Sequence, residues 1–171
     1  MKRLIIGLLA LVVLMAPALV VAQTTDFKAV NVSATWTGGV SLSIDKVALT
    51  YPVMTYPHDN LWKNSNEGFI SATIGMSVNP GRRVRFSMTT SNWIPAIAGM
   101  GPETTVQLQG VNGSAGAAIF VPPVGGELVL WTTTTSPPET AVDTFEIRVR
   151  NVAASLGTRT MSLTFTVADV L

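Results

Sequence analysis

Residues 70–88 of this 171-residue chain read ISATIGMSVNPGRRVRFSM, and the alternation of apolar and polar side chains in this stretch decides the fold class. Every second residue is apolar over residues 70–78, and the same alternation resumes over residues 84–88. A period of two is typical of a β-strand with one buried face. Asn79-Pro80-Gly81-Arg82 supplies the Pro and Gly of a tight turn between them. The stretch therefore predicts two strands joined as a hairpin.

The same alternation recurs along the rest of the mature chain and predicts eight or nine strands. Gly and Pro clusters separate these strands at intervals of about 10 to 15 residues, which is typical of two-sheet β folds. Alternation, in place of continuous apolar runs, favours antiparallel sheets with one wet face. We predict an all-β, antiparallel two-sheet sandwich of the jelly-roll or immunoglobulin-like kind. At Asp45-Lys46 the apolar phase shifts, which predicts a bulge or a strand that changes sheets.

The first 22 residues have the composition of a secretory signal peptide. Lys2 and Arg3 precede an uncharged apolar run over residues 4–15, and Val20-Val21-Ala22 offers small residues before Gln23. We expect residues 1–22 to be cleaved and the mature protein to be extracellular, at the cell surface and without a membrane span. The alternative is a retained anchor, because residues 4–22 are about long enough to cross a bilayer.

Charge and cysteine content narrow the classes of function. The chain has 11 basic and 10 acidic residues, and loss of the leader would leave a net charge of −1. Such a balance does not favour binding to nucleic acid or to an acidic membrane. Charged residues make up 12% of the chain, about half the usual fraction. This low charge indicates a surface covered by hydroxyl groups, glycans or partner subunits. Because there is no cysteine, the exported domain must rely on packing and backbone pairing.

No catalytic or metal-binding motif is present. His58 is the single histidine, and the chain contains no HExxH or GxSxG pattern. Asp59-Asn60 and the segment 64–67 could offer oxygen atoms to calcium, but their spacing matches no known calcium loop. We therefore predict no cofactor, no metal ion and no enzymatic activity. A glycosidase whose two carboxylates meet only in space is the enzymatic alternative that the sequence leaves open.

The prediction of function rests on the strand nearest the predicted cleavage site. Its apolar phase consists of Val30, Val32, Ala34 and Trp36, and Phe27 precedes this phase as a further candidate for the polymerisation strand. Such a strand can fill an apolar groove in another subunit and add its backbone to an exposed sheet edge. Because this contact is head-to-tail, it propagates into a filament. We predict a donor strand over residues 23–37 and a sandwich domain over residues 38–171. The alternative is that the strand completes its own sandwich.

A cleaved leader, a short N-terminal strand and a cysteine-free, Thr- and Ser-rich sandwich extend over Gln23–Leu171. This pattern resembles the biofilm-fibre proteins related to TasA and camelysin, and it is similar to the archaeal bundling pili. The resemblance implies a homo-oligomeric filament for surface adhesion or a biofilm matrix, in which residues of about 24–36 insert into the adjacent subunit. No zinc motif accompanies it to support the metalloprotease activity described for camelysin-type proteins. The competing class is a monomeric exported binding module, either an adhesin or a carbohydrate-binding domain.

Two tripeptides match the N-glycosylation pattern. They begin at Asn31 and Asn112, in the polar phase of the first strand and in a Gly-rich loop. We predict both as possible glycan sites. A glycan on Asn31 would require the strand to dock with its polar face outward.

Tryptophan and arginine side chains supply the remaining candidates for a binding surface. Trp62 and Trp93 could stack on carbohydrate, and Trp93 could also plug the edge of the core. Trp36 and Trp131 fall within predicted strands and are expected in the core. The basic cluster at the 79–85 turn is predicted as a solvated face that protects a sheet edge, with an anion or subunit contact as the alternative. Its members are Arg82, Arg83 and Arg85.

Overall fold

The structure of the protein is a computed structural model that describes residues 25–26, 28–37, 39–52, 54–55, 60–96, 98, 100–113, 117–134, 137, 139–150 and 157–171. The predicted signal peptide, Phe27 and His58-Asp59 lie outside the described residues. Among the residues described, no helix has the length and apolar character needed to cross a membrane.

Strands make up most of the regular structure. In chain order they are β1 (Thr25–Asp26), β2 (Lys28–Thr37), β3 (Val40–Ile44), β4 (Ala48–Thr50), β5 (Met54–Thr55), β6 (Lys63–Asn64), β7 (Ile70–Met76), β8 (Arg83–Thr90), β9 (Val106–Gln109), β10 (Ala118–Phe120), β11 (Glu127–Thr132), β12 (Thr140–Val149) and β13 (Arg159–Val170). A four-residue helix, α1 (Pro102–Thr105), precedes β9, and a 3₁₀ turn at Val111–Gly113 follows it.

Two main sheets face each other. The five-stranded sheet has the order β11-β8-β13-β2-β4, and the six-stranded sheet has the order β10-β9-β12-β7-β3, with β6 also paired to β12. β1 and β5 form a separate two-stranded ladder. All described pairs are antiparallel except β2 with β13, which run parallel. The predicted all-β, sandwich-like class is confirmed. The main sheets contain eleven strands, more than the eight or nine predicted. The two-residue β6 is too short to show an alternation.

The predicted hairpin at residues 70–88 is wrong. β7 pairs with β3 and β12 in the six-stranded sheet, whereas β8 pairs with β11 and β13 in the five-stranded sheet. The turn at Asn79–Arg82 is present, with the Arg82 N–H donating to the Asn79 carbonyl oxygen at 3.2 Å, but it joins two sheets. Alternation shows which face of a strand is buried and does not identify its neighbour. The predicted change of sheet near Asp45-Lys46 is confirmed, because β3 and β4 belong to different sheets.

The core lies between the inner faces of the two sheets. Phe165 of β13 is at its centre, with its ring centroid 5.7 Å from that of Phe86 and 5.2 Å from that of Phe145, on the opposite sheet. Trp93 is 1% exposed, and its indole N–H donates to the hydroxyl of Thr105 at 2.8 Å. Trp93 therefore plugs the core as predicted and is not a surface platform for carbohydrate.

Candidate functional site: the first strand and its groove

β2 is an interior strand of the five-stranded sheet. It pairs parallel with β13 at ten positions, from Lys28 opposite Arg159 to Thr37 opposite Ala168. On its other side it pairs antiparallel with β4, where residues 29–31 lie opposite residues 50–48. The walls of its groove are therefore β13 and β4. Beside these three paired positions the Val32 N–H donates to the carbonyl oxygen of Val47 at 2.9 Å, so β4 and the residue before it cover the N-terminal part of this edge.

The apolar phase of β2 faces the core. Val30 and Val32 are 0% and 4% exposed, and Ala34 is partly buried against the same cluster. Burying a valine side chain stabilises a fold by about 1.5–3 kcal/mol. The structure thus brings together three of the residues proposed for polymerisation. Of the other two, Phe27 and the side chain of Trp36 lie outside the described part of the chain.

The polar phase of β2 faces outward and is tied to β13 by hydroxyl groups. The Ser33 hydroxyl donates to that of Thr164 at 3.1 Å, and the hydroxyl oxygens of Thr35 and Thr166 are 2.9 Å apart. Asn31 is exposed on the same face. A glycan on Asn31 would therefore extend away from the core. This is the orientation predicted for a glycosylated strand, with its polar face outward.

A glutamate holds the β4 wall of the groove in place. Glu67 accepts the backbone N–H of Thr50 and the hydroxyl of Thr50, each at 2.7 Å. Burial raises the pKa of the Glu67 carboxyl, but these hydrogen bonds and the nearby Lys46 ammonium outweigh burial, so the pKa is lower than usual. The backbone N–H of Asn66 also donates to the Thr50 carbonyl at 2.8 Å. Sequence analysis missed this contact, because polar loop residues carry no period that identifies a distant partner.

The link from β2 to β3 is short and closely packed. β2 ends at Thr37 and β3 begins at Val40 in the opposite sheet, so the chain crosses the sandwich within two residues. A Cβ added to Gly39 would lie 2.0 Å from the carbonyl oxygen of Ser77. The Ser77 N–H also donates to the Gly39 carbonyl at 2.8 Å. This crossing is the link by which β2 continues into β3.

The second predicted glycan site lies beside a buried carboxylate. Asn112 is exposed and has a positive φ of 54°. Its backbone N–H donates to Oδ1 of Asp143 at 2.8 Å, and the indole N–H of Trp131 donates to Oδ2 at 3.0 Å. Trp131 packs against the core, with its ring 5.4 Å from Phe86. These contacts give Trp131 and Asp143 a structural role.

The arginines of the 79–85 turn are divided between ion pairs and solvent. Arg82 pairs with Asp169 near the end of β13, and Arg85 Nη2 lies 3.5 Å from Glu127 on the adjacent edge strand β11. Arg83 is exposed. The two pairs join neighbouring strands of one sheet, and they leave no concentrated positive surface at this turn.

The described residues place β2 between β13 and β4. Within the described ranges, no three acidic or histidine side chains lie close enough together to hold a metal ion. No protein-family model matches the chain, and no curated protein is significantly similar to it.

Proposed function

We propose that this protein is a structural subunit of an extracellular filament for surface adhesion or a biofilm matrix. Residues 1–22 would direct export and would be removed by cleavage after Ala22. Subunits join head-to-tail when β2 of one subunit occupies the groove between β13 and β4 of the next. The observation that carries the proposal is the interior position of β2. Its departure would open a groove along ten positions of β13 and expose the core beneath Val30 and Val32.

The strand order supports this proposal through the polarity of β2. From β7 to β13 successive strands change sheet, except that β9 and β10 are neighbours in one sheet, and the resulting orders β7-β12-β9-β10 and β13-β8-β11 are those of a jelly roll. We propose a jelly-roll sandwich on this basis. An eighth strand of that fold would lie antiparallel beside β13. The parallel β2 occupies that place, so the domain from β7 onward lacks one strand of its own.

A second function, a monomeric exported binding module, is favoured by one observation. β2 pairs with β13 and β4 of its own chain, and thereby completes its own sandwich. The filament and the monomer use the same contacts, and they differ only in which molecule supplies β2.

Cysteine cross-linking distinguishes the two functions, because the chain has no natural cysteine. The hydroxyl oxygens of Ser33 and Thr164 are 3.1 Å apart on the outer face of the β2–β13 ladder, so Ser33→Cys with Thr164→Cys places two thiols within reach of a disulfide. Strand exchange predicts a series of covalent multimers after oxidation of assembled material from the cell surface. Self-completion predicts covalent monomers at every concentration, which would refute the filament.

A matched pair controls for chance collisions. Thr89 lies opposite Thr164 on β8, which stays in its own subunit in both cases. Thr89→Cys with Thr164→Cys must therefore give monomers whichever function is correct. Deletion of residues 23–35 should also remove filaments from negatively stained cell-surface material.

A further inference from the structure

An aromatic and arginine cluster lies on the outer face of the six-stranded sheet. Trp62 precedes β6 and Phe120 ends β10, and their ring centroids are 5.9 Å apart at an interplanar angle of 62°. The guanidinium carbon of Arg150 lies 4.7 Å from the centre of the Trp62 ring, within cation–π distance. Phe120 is 50% exposed, so an aromatic ring remains open to a partner.

Planar polar side chains lie directly beside these rings. The register places Phe120, Gln107 and Arg148 next to one another across β10, β9 and β12. Nη1 of Arg148 donates to the side-chain oxygen of Gln109 at 2.7 Å, and Gln107 is 4% exposed. The contacts among these groups hold them in place before any ligand arrives, which lowers the entropy lost on binding.

Arg148 and Arg150 give this cluster its positive charge. Among the described side chains, no carboxylate lies within ion-pair distance of Arg148 or Arg150. Arg150 instead donates from Nε to the backbone oxygen of Thr104 at 2.8 Å. Arg82 and Arg85, on the other sheet, each pair with a carboxylate. The cluster therefore suits an anionic partner.

We propose that this face binds a carboxylate-bearing polysaccharide. The apolar face of a sugar ring packs on Phe120 and Trp62, as apolar groups pack on aromatic rings elsewhere. The planar guanidinium of Arg148 matches a carboxylate, and Gln109 hydrogen-bonds to ring hydroxyls. Phe120 is 50% exposed on this face, which leaves its ring open to a polymer that passes across the sheet.

Single-stranded nucleic acid also uses aromatic stacking and arginine, but it needs a positive groove that follows its backbone. This chain carries 11 basic and 10 acidic residues, and Glu146 lies on the same face of β12 as Arg148. A uronic acid residue carries a carboxylate and free hydroxyl groups on one ring, and these groups match the guanidinium of Arg148 and the amide of Gln109. None of these side chains belongs to β2 or to its groove, so the proposal stands independently of strand exchange.

The test measures retardation of the purified protein in native gels that contain polygalacturonate, dextran or polyuridylate. We expect retardation by polygalacturonate alone, weakening as salt is raised. Arg148→Gln and Phe120→Ala should each weaken the affinity by about tenfold, since each removes one anchoring contact. Two controls lie on the other sheet: Arg83→Gln changes an exposed arginine, and Val129→Ala changes an apolar residue that is 45% exposed. Each control should change the affinity less than about twofold.

Circular dichroism of each variant separates loss of binding from loss of fold, and Phe120→Ala alters a half-exposed side chain that the core does not need. The proposal is overturned if polygalacturonate does not retard the protein or if dextran retards it equally. It is also overturned if polyuridylate is preferred, or if folded Arg148→Gln and Phe120→Ala variants bind as tightly as their controls.

Discussion

Asp143 joins the two sheets at one end of the sandwich, and its substitution gives the sharpest test of the structure. Its side chain is 5% exposed. One carboxylate oxygen accepts the backbone N–H of Asn112, which follows β9, and the other accepts the indole N–H of Trp131 on β11. β12 and β11 belong to opposite sheets, so this carboxylate is a polar link across the core.

Asp143→Asn keeps the shape of the side chain and replaces one accepting oxygen by an NH₂ group. Either Asn112 or Trp131 then presents its N–H to another donor. A hydrogen bond to a charged group contributes about 1.5–3 kcal/mol, and a buried donor without an acceptor costs about 1–3 kcal/mol. Because Trp131 is partly exposed and can be hydrated, we expect a loss of about 2–4 kcal/mol in the free energy of unfolding. A typical domain has about 5–15 kcal/mol in total.

Urea unfolding, followed by circular dichroism and tryptophan fluorescence, measures this loss. The matched control is Asp45→Asn, at an exposed carboxylate that accepts one N–H from Ser71 at 2.7 Å. Water can replace that contact, so its cost should stay below about 1 kcal/mol. A double-mutant cycle of Asp143→Asn with Trp131→Phe should give a coupling of about 1 kcal/mol. A change within about 0.5 kcal/mol for Asp143→Asn, the usual range for a neutral surface site, would refute the proposed link.

Two further predictions concern the groove of β2. The pKa of Glu67 is lowered in the folded protein from its ordinary value of 4.5. Its hydrogen bonds to Thr50 therefore stabilise the fold above about pH 4.5, and this stabilisation is lost as the pH falls through the lower pKa of the folded state. Glu67→Gln should therefore reduce the loss of stability below about pH 4.5, as measured by urea unfolding at several pH values. A pH profile of stability that is unchanged in this variant would contradict the role of Glu67. Gly39→Ala would place a Cβ 2.0 Å from the backbone of Ser77 and should lower the melting temperature by several degrees or prevent folding. The control Gly75→Ala meets only a rotatable serine hydroxyl and should lower the melting temperature much less. Equal effects of the two substitutions would exclude the close packing of the β2–β3 crossing.

Strand faces could be predicted from the sequence, whereas strand partners could not. Ile70, Ile74 and Val84 are buried, as their alternation requires. The same alternation would hold whether β7 and β8 formed a hairpin or joined two sheets, since both arrangements bury the same side chains. It would also hold whether β2 ran parallel or antiparallel to β13. Polarity and partner depend on contacts between residues that are distant in the sequence, 131 positions apart for Ser33 and Thr164, and no local period records such contacts.

The candidate site was predictable in the same partial way. Burial of Val30 and Val32 follows from their phase, but the β4 wall is held by Glu67, 17 residues away from Thr50 and in a polar segment. Asp143 did leave a signal in the sequence. It shares the phase of the buried Phe145, so an acidic residue at that position must lie inward and needs donors. The identity of those donors depends on the fold.

Whether β2 inserts into a neighbouring subunit or into its own domain depends on the free-energy terms that differ between the filament and the monomer. Burial of Val30 and Val32, at about 3–6 kcal/mol together, is the same whether β2 enters its own groove or that of a neighbour. The ladder with β13 is the same as well. Two terms differ between the states. The monomer must close the crossing at Gly39 tightly, whereas the filament leaves it extended, so strain there would favour the filament. Tethering favours the monomer, because a strand attached to its own domain has an effective concentration of millimolar order. Any strain at the crossing lowers the concentration at which neighbours compete, so the cross-linked product at Ser33 and Thr164 should shift from monomer to multimer as protein concentration rises. If the product stays monomeric at every attainable concentration, the crossing stores no strain that favours exchange.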